Sequence, residues 1–145
     1  MTERGLRAVE IAQSWIGTPY RHQASARGAG SDCLGLLRGV WRELYGAEPE
    51  KLPAYTRDWS EPASEETLWL AATRHLVSCD RRAPVRAGQV LLFRMRDRSV
   101  AKHLGLAAGQ GQQMTFIHAY SGHGVIESPL SLPWRRRVVA RFEFP

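Results

Sequence analysis

The chain has 145 residues, 43% of them hydrophobic and 23% charged, proportions that exclude wholesale disorder. A chain of this length buries roughly 70% of the surface its unfolded form exposes, enough for one real core. Twenty Lys and Arg, almost all Arg, stand against fourteen Asp and Glu, a formal charge of +6. That balance suits an anionic partner such as nucleic acid, a wall polymer or an acidic protein surface, and equally an ordinary solvated basic face.

The longest apolar run, Leu68 to Ala72, is far short of a membrane span. Glu3 and Glu10 interrupt the N-terminus and no long apolar stretch follows Arg4 and Arg7, so no signal peptide is read and synthesis in the cytoplasm is expected. Cys33 and Cys79 lie in different contexts and make no disulfide framework; reactive, metal-bound and merely buried thiols remain as readings. No repeat, low-complexity tract or linker divides the chain, and residues 1–145 read as one domain.

Leu6, Val9, Ala12 and Ile16 recur at helical spacing until Gly17 and Pro19 stop the run. A polar, Gly-rich loop from Thr18 to Gly30 follows. A second helix is expected from about Asp32 to Gly46, with Leu36, Leu37, Val40, Trp41 and Leu44 as its apolar positions. A connection from Pro49 to Pro62 precedes a third helical pattern, roughly Glu65 to Ser78. The period then changes. Gln89–Met95, Ala101–Ala108, Gln113–Tyr120 and Val138–Phe144 read as strands, Val125–Glu127 as a further short one, and Gly109–Gln112 as a hairpin turn. Helices first and strands afterwards predict an α+β domain, N-terminal helices packed on an antiparallel sheet.

Chemistry concentrates at three positions. Ser31 or Asp32 is a suitable N-cap, which places Cys33 in the first turn of the second helix, where unpaired amides and the helix dipole are expected to lower a thiol pKa. The bland alternative is a small buried residue that happens to start a helix. If Ala101–Ala108 and Gln113–Tyr120 pair about a turn centred between Gln110 and Gly111, His103 falls directly opposite His118, with Cβ atoms roughly 5 Å apart. A one-residue slip would separate the two faces. Cys33, His103 and His118 then read as nucleophile, base and orienter, whereas each histidine alone reads equally as a structural imidazole. The same atoms, with Asp32 or Cys79, form an alternative zinc set that no Cys-x-x-Cys or His-x-x-x-His spacing supports. No organic cofactor is expected.

From Ala12 to about Glu127 the chain resembles the NlpC family of cell-wall cysteine peptidases, compact relatives of the papain group. The resemblance is carried by Trp15–Ile16–Gly17–Thr18–Pro19–Tyr20, Ser31–Asp32–Cys33–Leu34–Gly35–Leu36, Arg86–Ala87–Gly88–Gln89–Val90–Leu91–Leu92–Phe93, His103–Leu104–Gly105–Leu106 and Phe116–Ile117–His118–Ala119, in that order. It implies a papain-like domain with Cys33 as nucleophile, His103 as general base, His118 as orienting residue and Tyr20 contributing its hydroxyl beside the thiol. It also implies hydrolysis of a peptidoglycan stem-peptide bond, the oxyanion being held by the amide of Cys33 and by Tyr20. Leu34 replaces the usual serine, and Arg21–Gly28 replaces the aromatic and paired glycines common after the tyrosine. The Asp32–Cys33–Leu34–Gly35 form and the insert at 46–67 resemble the subgroup found in phage tails and gene transfer agents. Tail or baseplate proteins are therefore expected partners, with a virion-like tail bringing the enzyme to the wall. The alternative is a structural tail-tip or baseplate protein with a vestigial or occluded site.

The remaining candidates weigh less. His22 and the arginines Arg21 and Arg27 border the expected cleft. His75 and His123 have no partner legible in sequence, and Cys79, at a helix end beside Asp80, reads as a structural thiol. Trp15, Trp41 and Trp69 fit core stripes, while Trp59 and Trp134 fall in irregular segments where exposure against a partner is one reading. The strands lack the aromatic-and-basic pattern of a nucleic-acid surface.

Overall fold

The computed structural model describes residues 2–50 and 66–145; the expectations for Trp59 and for most of the Pro49–Pro62 connection lie outside them. Helix α1 spans Glu3–Ser14, its Thr2 cap accepting from the Gly5 amide at 2.9 Å. Its buried stripe is Gly5, Ala8, Val9, Ile11 and Ala12, continued by Trp15, whereas Leu6 and Ile16 are exposed. The expected stripe is rotated because small residues set the contact: Gly5 lies so close to the Gly88 turn that a Cβ on Gly88 would stand 2.5 Å from the Gly5 Cα.

The loop after α1 contains a small hairpin, β1 (Ser25–Ala26) with β2 (Gly30–Ser31), absent from the sequence expectation. It leads directly into α2, Cys33–Tyr45, which is capped by Asp32 and closed by Gly46 at φ 91°. Leu36, Leu37 and Val40 are buried from its predicted apolar face. Helix α3 covers Thr67–His75 only. The last residues of the predicted third helix instead form an edge strand, β3 (Val77–Ser78), paired with β8.

The sheet comprises β3, β4 (Val90–Phe93), β5 (His103–Ala108), β6 (Thr115–Tyr120), β7 (Gly124–Pro129) and β8 (Val138–Glu143) in the order β3-β8-β4-β5-β6-β7, every pairing antiparallel. Both faces of its centre are buried, which explains why β4 and β5 are continuously apolar or small rather than alternating. Leu104, Leu106, Ile117 and Ala119 face α1 and α2. Phe93, Ala107 and Phe116 belong to a second cluster on the opposite face, closed by Leu130 and by Trp134 of a short helix, α4 (Leu132–Arg135). The α+β arrangement expected from sequence is thus the one observed. Main-chain bonds from Gly17 to Val125 and from Val125 to Thr18 tie the end of α1 to β7, bringing the N-terminal loop to the strands that carry the histidines.

Candidate functional site

The presentation of Cys33 is built by the loop before it. Asp32 is buried, and its carboxylate accepts from the amide of Gly35 at 2.7 Å and from that of Gln23 at 2.7 Å, so one side chain both caps α2 and folds the loop against it. A Cβ on Gly35 would lie 1.9 Å from the Ala24 carbonyl oxygen, which is why a glycine stands two residues after the cysteine. Tyr20 forms a parallel bridge with Ser31, which stands two residues before Cys33, and packs beside the main core.

The Cys33 sulfur reaches strand β5 through its main chain. It donates to the Lys102 carbonyl at 3.5 Å and is met by the Leu104 amide, so its contacts flank His103 on both sides. The amides of Leu34 and Cys33 also face it, as the helix-start placement anticipates. They do not win. Desolvation, reinforced by the negative charge of Asp32, pushes the thiol up to about 12, reversing the lowered value expected from the helix dipole. At neutral pH the Cys33 sulfur is therefore a protonated thiol.

His103 and His118 do converge, by a different register from the expected one. Ala108 pairs with Thr115 and Leu106 with Ile117, so the hairpin is centred between Gly111 and Gln112, one residue beyond the predicted point. The 3-10 turn Gly111–Gln113 lies in this asymmetric connection. His118 consequently sits beside Gly105 rather than opposite His103; a Cβ on Gly105 would be 3.4 Å from that of His118 and 2.8 Å from Phe116 Cδ2. The shift displaces the partner strand by two residues, which preserves the face, and the rings meet on the diagonal. His103 Nε2 is 2.8 Å from His118 Nδ1, and His118 Nε2 is 2.9 Å from the Ser128 hydroxyl. Burial and then the neighbouring His118 charge lower His103 to about 3; burial and then His123 lower His118 to about 4. Both imidazoles are neutral at pH 7.

An aromatic enclosure keeps them so. Phe93 and Tyr120 flank His103 at centroid distances of 5.6 and 5.8 Å, and Tyr120 stacks on His118 at 5.3 Å. Trp134, read in an irregular segment, stands on α4 and lies 5.4 Å from the His118 ring and 5.8 Å from that of His103. His123, unassigned in sequence, stacks on Tyr120 at 5.4 Å. Ser128 was missed because the short strand read at Val125–Glu127 stopped one residue before it. Extending the alternation from Ile126, which pairs with His118, would have put Ser128 on the histidine face.

Other candidates are used elsewhere. His22 lies 3.9 Å from the Asp32 carboxylate, His75 bonds Glu50 at 2.9 Å, and Arg27 pairs with Glu43 and Ser14. The Arg21 side chain packs over Gly30. Cys79 follows an edge strand, its thiol raised by desolvation and Glu143. Trp15 is core and donates to Glu43 at 3.0 Å. Among the described residues no three His, Cys, Asp or Glu side chains gather as a metal site. Within the zinc set considered above, His103 Nε2 and His118 Nδ1 face each other and Asp32 accepts from the Gln23 and Gly35 amides.

No protein-family model and no curated protein matches the chain. Solved structures do. An NlpC/P60 family protein from Bacillus cereus superposes with a TM-score of 0.65 at 19% identity over 97% of this chain, and NlpC2 from Trichomonas vaginalis with 0.68 at 20% over 99%. The chain spans only 40% and 48% of the lengths of those two proteins. An N-acetylmuramoyl-L-alanine amidase from Bacteroides uniformis superposes with 0.62 at 11% identity, covering 99% of this chain and 100% of the amidase. The protein therefore has the papain-like fold of the NlpC/P60 proteins.

Proposed function

We propose that the protein belongs to the NlpC family and is a cysteine peptidase that hydrolyses a stem-peptide bond in peptidoglycan. The supporting observation is the convergence of a helix-start thiol on the main chain either side of His103, whose ring is bonded to His118. In the reaction the Cys33 proton passes to Nδ1 of His103 as sulfur attacks the scissile carbonyl carbon. The oxyanion is received by the Cys33 amide and by Tyr20. The C–N bond then breaks, the proton on His103 goes to the leaving amine, and water, deprotonated by the same imidazole, cleaves the thioester. Because thiol and imidazole both rest neutral, proton transfer accompanies attack. Delivery on a phage or gene-transfer-agent tail, with tail or baseplate partners, is part of this proposal and rests on the Asp32–Cys33–Leu34–Gly35 form and the insert at 46–67.

Digestion of purified sacculi, read by mass spectrometry of the released muropeptides, tests the chemistry. Cys33→Ala is expected to abolish release with the fold intact, His103→Ala to be nearly as damaging, and His118→Ala to cost less. Full activity of Cys33→Ala rejects the assignment. A second reading, a tail protein with a vestigial site, is favoured by the raised thiol; it predicts that no muropeptides appear with the unmodified protein.

A further inference from the structure

The two histidines and Ser128 form one hydrogen-bonded chain, from His103 Nε2 to His118 Nδ1 and from His118 Nε2 to Ser128 Oγ. With both rings neutral, each carries one proton, so the chain has two polarities. In one, His103 donates from Nε2, His118 donates from Nε2 to the serine oxygen, and Nδ1 of His103 is a lone pair. In the other, Ser128 donates to His118, His118 donates to His103, and the His103 proton sits on Nδ1. Only the first leaves His103 able to accept a proton from the thiol.

Hydrogen-bond accounting separates them. Nδ1 of His103 makes no hydrogen bond among the described residues. In the first polarity the unpaired ring nitrogen is therefore an acceptor, and both imidazole N–H groups are bonded. In the second it is an N–H whose only acceptor is the water that reaches a residue 8% exposed, a poorer arrangement than a ring lone pair left to the same water. Ser128 is part-exposed on β7, opposite Phe116, so its own hydroxyl proton can be given to water while its oxygen accepts.

We infer that Ser128 is a positioning residue that sets the polarity of this chain, holding His118 as the Nε2–H tautomer and thereby keeping the Nδ1 lone pair of His103 free. The inference rests on the proposed peptidase reading for its consequence in catalysis, but the tautomer itself is measurable without activity.

The test uses the full-length protein with nitrogen-15-labelled histidine, reading the ring nitrogens of His103 and His118 by NMR alongside sacculus digestion for Ser128→Ala, Ser128→Thr and Ser128→Asp. An ionised aspartate can only accept and enforces the active polarity by its chemistry. In the unmodified protein both rings are expected to be protonated at Nε2 alone. Ser128→Ala should convert His118 to mixed tautomers and lower kcat on the order of tenfold with KM little changed, while Thr and Asp restore the single tautomer and the rate. A Ser128→Ala protein that keeps the pure Nε2–H signature overturns the inference, as does loss in a folded Ser128→Asp protein equal to that in Ser128→Ala. If Ser128→Asp does not fold, Ser128→Thr decides. Absence of digestion by the unmodified protein rejects the peptidase reading and leaves the nitrogen spectra to judge the polarity.

Discussion

Replacing both imidazoles with neutral amides, in a His103→Gln, His118→Gln protein, is expected to flatten the acid limb of the stability curve. Burial lowers His103 to about 3 and His118 to about 4, from 6.5. Below pH 6.5 the unfolded chain takes up protons that the native rings refuse, so stability contributed by these groups is present above that value and lost as pH falls towards the native values. At pH 5 each ring remains neutral in the fold while its unfolded counterpart is about 1.5 pH units below its own pKa. At 1.36 kcal/mol per unit that is about 2 kcal/mol each, roughly 4 kcal/mol for the pair. Against a typical total of about 5–15 kcal/mol the loss is large. Urea unfolding at constant ionic strength between pH 7.5 and pH 5 measures it. The unmodified protein should lose on the order of 4 kcal/mol more than the double variant over this range. Equal losses would refute the claim that the folded state holds both rings neutral.

Three further outcomes follow from the packing and electrostatics. Gly35→Ala forces a Cβ against the Ala24 carbonyl oxygen, 1.9 Å away, and should destabilise by about 1–3 kcal/mol in urea unfolding; unchanged stability would refute the close approach. In a Cys79→Ser background, iodoacetamide labelling of Cys33 should rise about tenfold per pH unit from 7 to 10, as the thiolate fraction of a thiol pushed up to about 12 does. A plateau below pH 7 would mean a preformed thiolate instead. Trp134→Ala opens the histidine face and should cost roughly 2–4 kcal/mol in the same unfolding assay, less than a fully buried tryptophan because this one is half-buried. A change below 0.5 kcal/mol, the range of ordinary surface substitutions, would show that the indole does not cover the rings.

Local signals were reliable where a residue's role depends on its neighbours in sequence. Asp32 caps α2 and Gly46 ends it as their types require. Short apolar runs rich in strand-forming residues mark the four principal strands, and the helix-start position of Cys33 follows from the cap alone. The α1 stripe differs from the expected one because hydrophobicity favours Leu6 and Ile16, whereas the close approach of α1 to the Gly88 turn is made by Gly5. The place of Trp134 is not legible in sequence, because nothing within its own segment says that the histidine face lies beneath it.

The pairing of the two histidines shows the division most clearly. Strand period alone required that His103 and His118 share a face once β5 and β6 pair in any register of that parity, and this survived a hairpin centre one residue from the expected one. Which atoms then touch, and with what charge, was decided by tertiary structure. The diagonal offset let Nε2 of one ring meet Nδ1 of the other, and β7 supplied Ser128 at the far end. Burial beneath the aromatic side chains removed the imidazole charges, and desolvation beside Asp32 overrode the helix-start amides at the thiol. Sequence determined which groups could meet, because backbone periodicity and capping are local. Only the packed fold determined their protonation, because desolvation is a property of everything that surrounds a group.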